Sequence, residues 1–594
     1  MRHKRLIGFL AVSVVIAATL FISSRLLRAQ NSAQQDVTPT TYNPYPPGIL
    51  PSDLNSEIAR VKREIRGIHR QYLAQWRALP APNFQGNPPT LQGTGYESVR
   101  ILGGLLNYDL KMSVDENEAC AFCHMPYAGF GGPIPSVNLL PTAYPGSVHF
   151  RFGKRTPQRY TYSPKFPVLK YNTTQAAFFG GNFWDARSTG FKLQSPDAEQ
   201  AQHPPLDTQE MGNPDLACIA FKISQAEYLP LYKTVWGDDP SSIHFPANTA
   251  EICSTPGGAA VLGTNPSPIA LSPEDRTKAN NVYDHWGQSI SFLESSDDIS
   301  PFTSKFDAFL KNPTDNPLTA DEMAGYNLFR GKANCNSCHL DGRSTAPTPP
   351  PPEGMAPDST DTGAAADTEP VFTCFGYSNL GLPKNPRDAF YFQTTPDSFG
   401  FTPNPGGFTY TDFGLGTFLR SGFGSGPNPN GAWTQFAATS DGQFQTSTVR
   451  DVALVPSKCP TTEAPGPYFQ KAFFHNGYIK SLKQLVHFYN TRDVYQMPVE
   501  SGECPAGTVE KVTCWPAAEV PQNQDMTVGH LGLTDKEEDQ IVAFMETLTD
   551  GFTKPYPFVN TYTGACMCGG KAATQGNSTI IPASTLRRLA ALQR

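Results

Sequence analysis

A mainly α-helical fold made of two similar units, with long irregular loop insertions, is the fold class that this 594-residue sequence predicts. The first observation behind it is a pentapeptide, Cys-x-x-Cys-His, that occurs twice, at residues 120–124 and 335–339. The second is a helical pattern that leads toward each copy. The third is a content of 56 Pro and 50 Gly, which favour turns and loops over regular elements.

Each pentapeptide predicts one covalently attached haem of the c type. The two thiols add across the vinyl groups of the porphyrin, and the histidine that follows is placed to ligate the iron. A structural zinc site is the alternative, but zinc requires four ligands, and neither pentapeptide has a second Cys or His pair at the spacing of a zinc finger. The prediction is two haem c groups, bonded to Cys120, Cys123, Cys335 and Cys338 and ligated by His124 and His339.

Residues 1–30 have the composition of an export segment. They contain five Lys or Arg and no acidic residue, and the run from Leu6 to Ile22 is apolar. This pattern is typical of a signal peptide, and it also leaves an uncleaved inner-membrane anchor open. Because c-type haem is attached outside the cytoplasm, we expect a periplasmic protein, either soluble or anchored to the inner membrane.

The charge of the chain argues against a nucleic-acid binder. The formal net charge is −7, and without the five bases of residues 1–30 the chain has 41 basic and 53 acidic residues, or −12. A nucleic-acid-binding protein would carry a basic patch or stripe instead. A mildly acidic surface could steer a basic redox protein toward the molecule, although a merely solvated surface explains the same composition.

The cysteines that do not belong to the pentapeptides predict disulfide bonds. Twelve cysteines less four leaves eight, an even number in an exported chain. Eight cysteines allow 105 pairings, so only local pairs are suggested, Cys218 with Cys253 and Cys504 with Cys514. The cysteines of residues 566–568 would form a strained ring, so a metal-binding or intermolecular role stays open for them.

Residues 31–95 are predicted to form a Pro-rich linker followed by one long helix. The helix is expected from Pro51 to Leu79, with Ser52 as its capping residue. Apolar residues recur every three or four positions along it, so one face is expected to pack on the body of the protein. That face consists of Ile58, Val61, Ile65, Ile68 and Tyr72.

Two cytochrome c-like haem domains are predicted around the two pentapeptides. The first spans residues 96–300 and is closed by a helix that Ser272 caps and that continues to Phe292. The second spans residues 301–560, with a helix that starts near Leu318 and leads directly into the second pentapeptide.

The second domain is expected to contain one more terminal helix and two long insertions. Thr534 is placed to cap the helix, which is rich in acidic residues in its first turns. Residues 344–370 are low in complexity and predict a surface loop. Residues 400–437 are rich in Gly, Pro and aromatic residues and lack the periodicity of regular elements. Residues 561–594 are predicted to be a tail with a short basic helix at its end.

Further motifs occur in order around the two pentapeptides, and together they carry a family resemblance. The sequence resembles the bacterial di-haem cytochrome c peroxidase and MauG superfamily over about residues 99–549. Singly these strings are weak evidence, but their ordered spacing is specific. They lie at residues 102–109, 182–187, 210–212, 329–333, 442–450, 474–477 and 531–536, and residues 375–386 and 488–493 resemble the larger, loop-extended members.

The resemblance implies a peroxide site at the first haem. Cleavage of hydrogen peroxide needs an open coordination position, a group that moves a proton between the two oxygens, and a reductant. The family has a Gln and a Glu ten residues apart, and Gln200 and Glu210 match that spacing here. Glu210 is thereby implied as the acid/base and Gln200 as its orienting partner. Trp184 stands where the family has a tryptophan between the haems, which could relay electrons; a core tryptophan is the alternative.

The resemblance leaves the remaining iron ligands open. At the second haem, peroxidases of the family have a Met and MauG has a Tyr, and this position is Tyr489, with Met497 as the rival. At the first haem, His149 matches the region of a histidine that gates many family peroxidases, although its spacing from the pentapeptide is unusual. Whether a calcium ion is bound between the two domains stays open, because residues 155–156 and 446–448 depart from the family's ligand pattern.

Two more residues are implied to lie near the second haem. His475 belongs to the Phe-His-Asn-Gly string at residues 474–477 and could bond a propionate. Arg450 is a natural counter-ion for a propionate. Ordinary packing roles are the alternative for both.

Taken with the resemblance, the sequence predicts an oxidoreductase that reduces hydrogen peroxide at the haem of His124. Electrons would enter through the haem of His339 from a small redox protein, such as a cytochrome c or a cupredoxin, and pass near Trp184. The alternatives are a MauG-like oxidase of a protein or organic substrate and a non-catalytic di-haem electron carrier. The related di-haem rubber oxygenases also have long insertions, but Gln200 and Glu210 argue for peroxide handling. No nucleic-acid partner is expected.

Overall fold

A computed structural model describes residues 51–80, 94–139, 141–342, 369–421, 433–454, 459–460, 468–469, 471–499 and 502–555. The predictions for residues 1–30, for most of the insertion at 344–370 and for the tail with its two cysteines fall outside these ranges. None of the helices within them is both long and apolar enough to cross a membrane.

The protein is rich in helix and has little sheet. The helices of the described residues are α1 Pro51–Ala78, α2 Thr94–Asn107, α3 Pro135–Leu139, α4 Pro196–Ala201, α5 Ala217–Ser224, α6 Leu229–Trp236, α7 Thr249–Cys253, α8 Pro273–Glu294, α9 Lys305–Lys311, α10 Ala320–Arg330, α11 Leu415–Arg420, α12 Leu482–Tyr495 and α13 Asp535–Glu546. The strands form three antiparallel pairs: β1 Lys170–Asn172 with β2 Ala177–Phe179, β3 Tyr377–Ser378 with β4 Phe444–Gln445, and β5 Cys459–Pro460 with β6 Tyr468–Phe469.

One hydrophobic core surrounds the first pentapeptide. It is formed by α1, α2, α5, α6 and α8 together with Ala121 and Phe122 of the pentapeptide itself. Helices α2 and α8 approach so closely that a Cβ atom on Gly103 would collide with the backbone of Ser289. The glycine at this crossing therefore permits the close packing of α2 and α8 in the core that also contains Ala121 and Phe122.

Two further clusters of buried residues surround the second pentapeptide. In one of them, Phe306 of α9 packs with Tyr326 of α10 and Phe544 of α13. In the other, residues of α12 and α13 pack around Trp515. The crossing of α10 and α13 again depends on a glycine, because a Cβ atom on Gly325 would collide with the backbone of Gln540.

Most of the predicted helices are confirmed. The five apolar residues on the expected face of α1 are all buried, Ser272 caps α8, and Thr319 and Thr534 form capping boxes at α10 and α13. The helix expected from Pro51 to Leu79 is observed at Pro51–Ala78, and the predicted cap at Ser52 lies outside the side chains that the structure describes. The insertion at 400–437 is less irregular than expected, since it contains α11, which buries Leu415 and Leu419 against β1 and β2.

Both suggested disulfide bonds are present. Cys218 of α5 is bonded to Cys253 of α7, and Cys504 is bonded to Cys514. Cys374, by contrast, is a free thiol, and its backbone N–H donates to the carbonyl oxygen of Cys338 at 2.7 Å. The first bond ties two short helices of the first core together and the second closes a loop beside α12.

Candidate active site

The first pentapeptide forms a short 3-10 turn at Cys120–Phe122, and His124 follows it. The Nδ1 atom of His124 lies 2.8 Å from the carbonyl oxygen of Phe130, and the imidazole stacks on Tyr160 with ring centroids 4.7 Å apart. Burial lowers the pKa of His124 to about 4. With Nδ1 engaged and the ring neutral, Nε2 is the nitrogen available to a metal.

The second pentapeptide repeats this arrangement. Its 3-10 turn spans Cys335–Ser337, and Nδ1 of His339 lies 3.1 Å from the carbonyl oxygen of Phe372. Burial lowers the pKa of His339 to about 4 as well. The two histidines are therefore oriented and kept neutral in the same way, as a duplicated iron-ligand site requires.

The first cavity lies beside the first pentapeptide and encloses about 1040 Å³ of empty space, open solvent at its mouth included. His124 lines it together with Gln200, Glu210 and Trp184, and a smaller adjoining cavity also contacts His124, Gln200 and Glu210. Among the described residues that line the two cavities, His124 is the only histidine. The structure thus places the predicted acid/base and its predicted partner in the walls of the same cavities as the first histidine.

The side chain of Glu210 is partly buried. Burial raises its pKa to about 8, the charge of Asp207 adds to the rise, and the cations Arg187 and Lys154 oppose it. The backbone carbonyl of Glu210 accepts a hydrogen bond of 2.8 Å from the backbone of Ser147, which fixes the loop that carries it. A carboxyl group with a pKa near neutrality exchanges protons readily in both directions.

The second cavity lies beside the second pentapeptide and encloses about 1460 Å³ of empty space, again with open solvent at its mouth. Cys335, Cys338 and His339 line one side, and Tyr489 and His475 also face it. Each cavity thus adjoins the histidine and at least one thiol of a pentapeptide. The thiols, the neutral histidines and the space fit the two haems that the sequence predicts.

Tyr489 is better placed than Met497 to reach the second iron. Tyr489 on α12 lines the second cavity, and burial, followed by the nearby Cys338 and Cys335, raises the pKa of its phenol. Met497 lies beyond the end of α12 and does not line the cavity; its backbone N–H donates to Trp515 at 2.8 Å. The structure therefore favours the tyrosine that the resemblance implied.

His149 does not reach the first cavity. Its side chain is exposed, and its Nε2 atom lies 3.1 Å from Nζ of Lys62 and 3.3 Å from Nδ2 of Asn117. The loop that carries it, anchored at Ser147 to Glu210, turns the imidazole outward. The structure gives no support to His149 as an iron ligand.

Trp184 and His475 occupy equivalent turns of the two units. Phe183 and Ala186 flank the tryptophan, and Phe474 and Gly477 flank the histidine, all four with φ between 60° and 67°. Each turn is closed by an antiparallel bridge, and the two rings meet edge to face with centroids 6.3 Å apart. Trp184 lines both cavities, so it stands at the junction between the two sites.

Thr156 connects the two turns through its backbone. The indole N–H of Trp184 donates to the carbonyl oxygen of Thr156 at 3.2 Å, and the N–H of Thr156 donates to the carbonyl oxygen of His475 at 2.8 Å. The neighbouring Arg155 is paired in a buried position with Asp185 and Asp412, each at 2.7 Å. This network holds the tryptophan and the histidine in a fixed relation.

The ring of His475 packs against an aromatic side chain on one face, and the charge of Asp412 also acts on it. Its ring stacks on Phe444 with centroids 3.4 Å apart, and burial lowers its pKa to about 3 despite the opposing charge of Asp412. The neutral ring lines the second cavity, as predicted from the sequence.

Arg450 does not face either cavity, so its expected role as a propionate counter-ion is not supported. Its guanidinium pairs with Asp307, which lies on α9, and lies over the rings of Tyr162 and Phe302. Arg159, which the sequence reasoning missed, lines both cavities instead. Its guanidinium donates to the carbonyl oxygens of Arg450 and Thr448 at 2.9 and 2.7 Å. In the sequence, only its position between the two pentapeptides pointed to a place near both cavities.

Glu118 was missed as well, although it precedes the first pentapeptide by two residues. The side chain is 4% exposed and lines both cavities of the first site. An acidic residue beside a haem motif is a weak signal in a sequence, because a solvated surface position explains it equally well.

No cluster of three His, Cys, Asp or Glu side chains suited to a metal ion occurs within the described ranges. At the positions where the resemblance suggested a calcium site, Arg155 forms salt bridges with Asp185 and Asp412. The structure adds nothing in favour of calcium.

Comparisons with known proteins show which family this chain is similar to. A family model described as di-haem cytochrome c peroxidase matches residues 97–254. The methylamine utilization protein MauG of Paracoccus denitrificans is 25% identical over 463 residues, which are 77% of this chain and 90% of that protein. The cytochrome-c peroxidase IdrP1 of Denitromonas iodatirespirans is 22% identical over 474 residues, 79% of this chain and 85% of that protein.

The fold has a solved counterpart. The crystal structure of the diheme peroxidase BthA from Burkholderia thailandensis superposes with a TM-score of 0.51 at 22% sequence identity. The match covers 80% of this chain and 89% of that chain. At 22% sequence identity, this similarity is evidence for the fold alone.

Proposed function

Because the chain belongs to the di-haem cytochrome c peroxidase and MauG superfamily, we propose that it reduces hydrogen peroxide at the first cavity with electrons that arrive through the second. The observation that supports the proposal is that Glu210 lines the same cavity as His124 and Gln200, where burial raises the pKa of its carboxyl group to about 8. A pure electron carrier has no need of such a group in its haem pocket.

Both cavities are proposed to hold haem c. Cys120, Cys123 and His124 would hold the first group, and the equivalent residues of the second pentapeptide would hold the second. When bound, the haems supply redox-active iron at which the peroxide bond is cleaved and electrons are stored. Because c-type haem is attached outside the cytoplasm, we place the protein in the periplasm.

Glu210 is proposed to do the proton work. As a carboxylate it accepts the proton of the peroxide oxygen that binds, and as a carboxylic acid it returns that proton to the leaving oxygen. Gln200 faces the same space and is placed to orient either the peroxide or the carboxyl group. The reaction consumes two electrons and two protons for each peroxide and releases two molecules of water.

Electrons are proposed to enter at the second cavity and to pass Trp184. The indole lines both cavities and is fixed by its hydrogen bond to Thr156, so it offers a rigid aromatic bridge between them. The donor would be a small redox protein such as a cytochrome c or a cupredoxin, attracted by the acidic surface.

A MauG-like oxidase of a protein or organic substrate is the second candidate. Tyr489 favours it, since a tyrosinate ligand stabilises oxidised iron and lowers its potential more than a methionine would. An enzyme of this kind takes its electrons from the substrate that it oxidises.

Two measurements test the proposal. Purified protein, with reduced cytochrome c or a reduced cupredoxin as donor, is expected to consume hydrogen peroxide with two electrons per peroxide. A high-spin spectrum in the oxidised or half-reduced protein is expected from an open position at the first iron. Oxidation of an organic or protein substrate without an external donor would support the MauG-like candidate instead, and two low-spin, six-coordinate irons without turnover would overturn both enzyme candidates.

A further inference from the structure

Lys471 is a buried lysine that the proposed reaction does not use. Its side chain is 6% exposed, and its Nζ atom donates to the carbonyl oxygen of Ala128 at 2.5 Å. Burial lowers the pKa of Lys471 well below its usual range, the charge of Arg159 lowers it further, and Asp451 opposes the decrease. An amine and an ammonium group both carry N–H donors, so the bond to Ala128 forms in either protonation state. Lysines are rarely buried without a partner, and here the partner is a backbone carbonyl group.

Ala128 belongs to a loop that follows the first pentapeptide. The loop spans residues 125–131, and an antiparallel bridge between its first and last residues closes it. The carbonyl oxygen of Phe130, in the same loop, lies 2.8 Å from Nδ1 of His124. Because a carbonyl oxygen can only accept, Nδ1 carries the proton, and Nε2 is the nitrogen left to ligate iron. The bond from Lys471 therefore anchors the loop that orients His124.

The second predicted domain also packs directly on this loop. A Cβ atom on Gly131 would lie 2.8 Å from Nζ of Lys471, so the lysine fills the space beside the loop. A Cβ atom on Gly129 would lie 2.9 Å from the carbonyl oxygen of Asp451, which belongs to the second predicted domain as Lys471 does. The position of the loop therefore depends on residues that lie outside the first predicted domain.

Lys471 and Lys480 lie on the two arms of the turn that carries His475. The backbone N–H of Lys471 donates to the carbonyl oxygen of Lys480 at 3.3 Å, which pairs the two arms. Lys480 is 4% exposed, and its Nζ atom donates to the carbonyl oxygen of Asn138 on α3 at 2.6 Å. Both lysines reach from the second predicted domain into the first, but of the two it is Lys471 that bonds to the loop of His124.

The converse arrangement occurs at the second pentapeptide. Arg159, from the first predicted domain, donates to the carbonyl oxygen of Thr448 at 2.7 Å. The hydroxyl group of Thr448 donates to the carbonyl oxygen of Val371 at 2.6 Å, and the next residue, Phe372, presents its carbonyl oxygen to Nδ1 of His339. In both units, the backbone that orients the histidine is thus bonded, directly or through one residue, to a basic side chain of the other unit.

We propose that Lys471 is a positioning residue through which the second unit sets the hydrogen bond between His124 and Phe130. A hydrogen bond donated from Nδ1 to a carbonyl group makes Nε2 a more basic ligand, and a more basic ligand stabilises oxidised iron. Displacement of the loop would lengthen this bond and make His124 a weaker ligand. The inference rests on the proposed attachment of haem at the first pentapeptide, but not on the proposed reduction of peroxide.

Resonance Raman spectroscopy of the reduced holoprotein tests the proposal, because the iron–histidine stretching frequency follows the strength of the bond at Nδ1. Lys471→Met removes the donor at nearly constant side-chain volume and is expected to move the band of the first haem to lower frequency. Lys480→Met is the matched control, since it removes a lysine of similar burial and an equivalent bond between the units; the band should keep its natural frequency. Lys471→Arg retains N–H donors and should leave the band closer to its natural position than Lys471→Met does.

The redox couple of the first haem provides a second measurement. At a fixed ambient potential, Lys471→Met is expected to raise the ratio of reduced to oxidised first haem by about threefold to tenfold. This is less than the effects of about 10- to 100-fold that are typical when the direct partner of a metal ligand is lost. The couple of the second haem, identified by its response to Tyr489→Phe, should not move. If Lys471→Met fails to fold, Lys471→Leu takes its place, because leucine is smaller and also lacks a donor.

The outcomes separate this inference from the proposed function. If the natural protein does not reduce peroxide but the band and the couple of the first haem respond to Lys471→Met, the peroxidase proposal fails and the role of Lys471 stands. If Lys471→Met keeps the natural band and couple, or moves them in the opposite direction, the role of Lys471 is overturned whatever the activity. An equal shift in Lys480→Met would overturn it as well. The absence of haem from the first pentapeptide would overturn both proposals.

Discussion

Glu210 is expected to set the pH dependence of the reaction with peroxide. To accept the first proton the group must be ionised, and its pKa is raised to about 8. About one tenth of the molecules are then ionised at pH 7 and about nine tenths at pH 9, so the rate of the first reaction should rise roughly tenfold between these values. Stopped-flow measurement of the second-order rate with hydrogen peroxide across this range provides the assay.

Two variants make the origin of the profile testable. Glu210→Gln removes the proton acceptor and should lower the rate by about 100- to 10,000-fold while flattening its pH dependence. Asp207→Asn should move the profile to lower pH without lowering its plateau, because the charge of Asp207 contributes to the raised pKa of Glu210. Glu227→Gln, at a surface salt bridge with Arg77, is a control that should behave as the natural protein. If Glu210→Gln keeps the natural rate and profile, the assignment of the acid/base is refuted.

Three further predictions follow from the site and the fold. Trp184→Phe should keep both haems but slow inter-haem electron transfer in flash-reduction experiments, and unchanged transfer would count against a relay. Tyr489→Phe should change the spectrum and raise the potential of the second haem, whereas Met497→Leu should leave both unchanged; a methionine-to-iron charge-transfer band in the natural protein would reverse this expectation. Replacing Cys218 and Cys253 by Ser should lower the free energy of unfolding in denaturant by about 3–4 kcal/mol, since the bond closes a loop with a sequence separation of 35, and a loss below about 1 kcal/mol would show that the loop is constrained by packing instead.

The sequence was most informative where chemistry is local. The pentapeptide contains within five residues all the groups that predict thioether bonds and an iron ligand, and a capping box at Thr319 or Thr534 is complete within four residues. The pairing of Cys504 with Cys514 was also accessible, because the two lie in one short loop. In each case the interacting groups are close along the chain, so the pattern of residue types determines the contact.

The candidate site was predictable only through a resemblance. Gln200 and Glu210 are ordinary polar residues in a loop, and nothing in their local pattern shows that both face His124. The choice between Tyr489 and Met497 needed the course of α12, which presents the tyrosine to the second cavity and leaves the methionine beyond its end. The division into domains at residue 300, the covalent attachment of haem and the role of Trp184 stay predictions.

The sequence by itself determined a helix-rich chain and predicted two histidines as iron ligands, because the pentapeptides and the caps act over a few residues. Only the tertiary structure decided what surrounds each histidine. It set Arg450 against Asp307 rather than a cavity, and it turned His149 toward Lys62 and solvent. It also placed Glu118 in the pocket of Glu210. The physical reason is that desolvation and charge pairing depend on groups that are distant in the chain, and only packing brings those groups together.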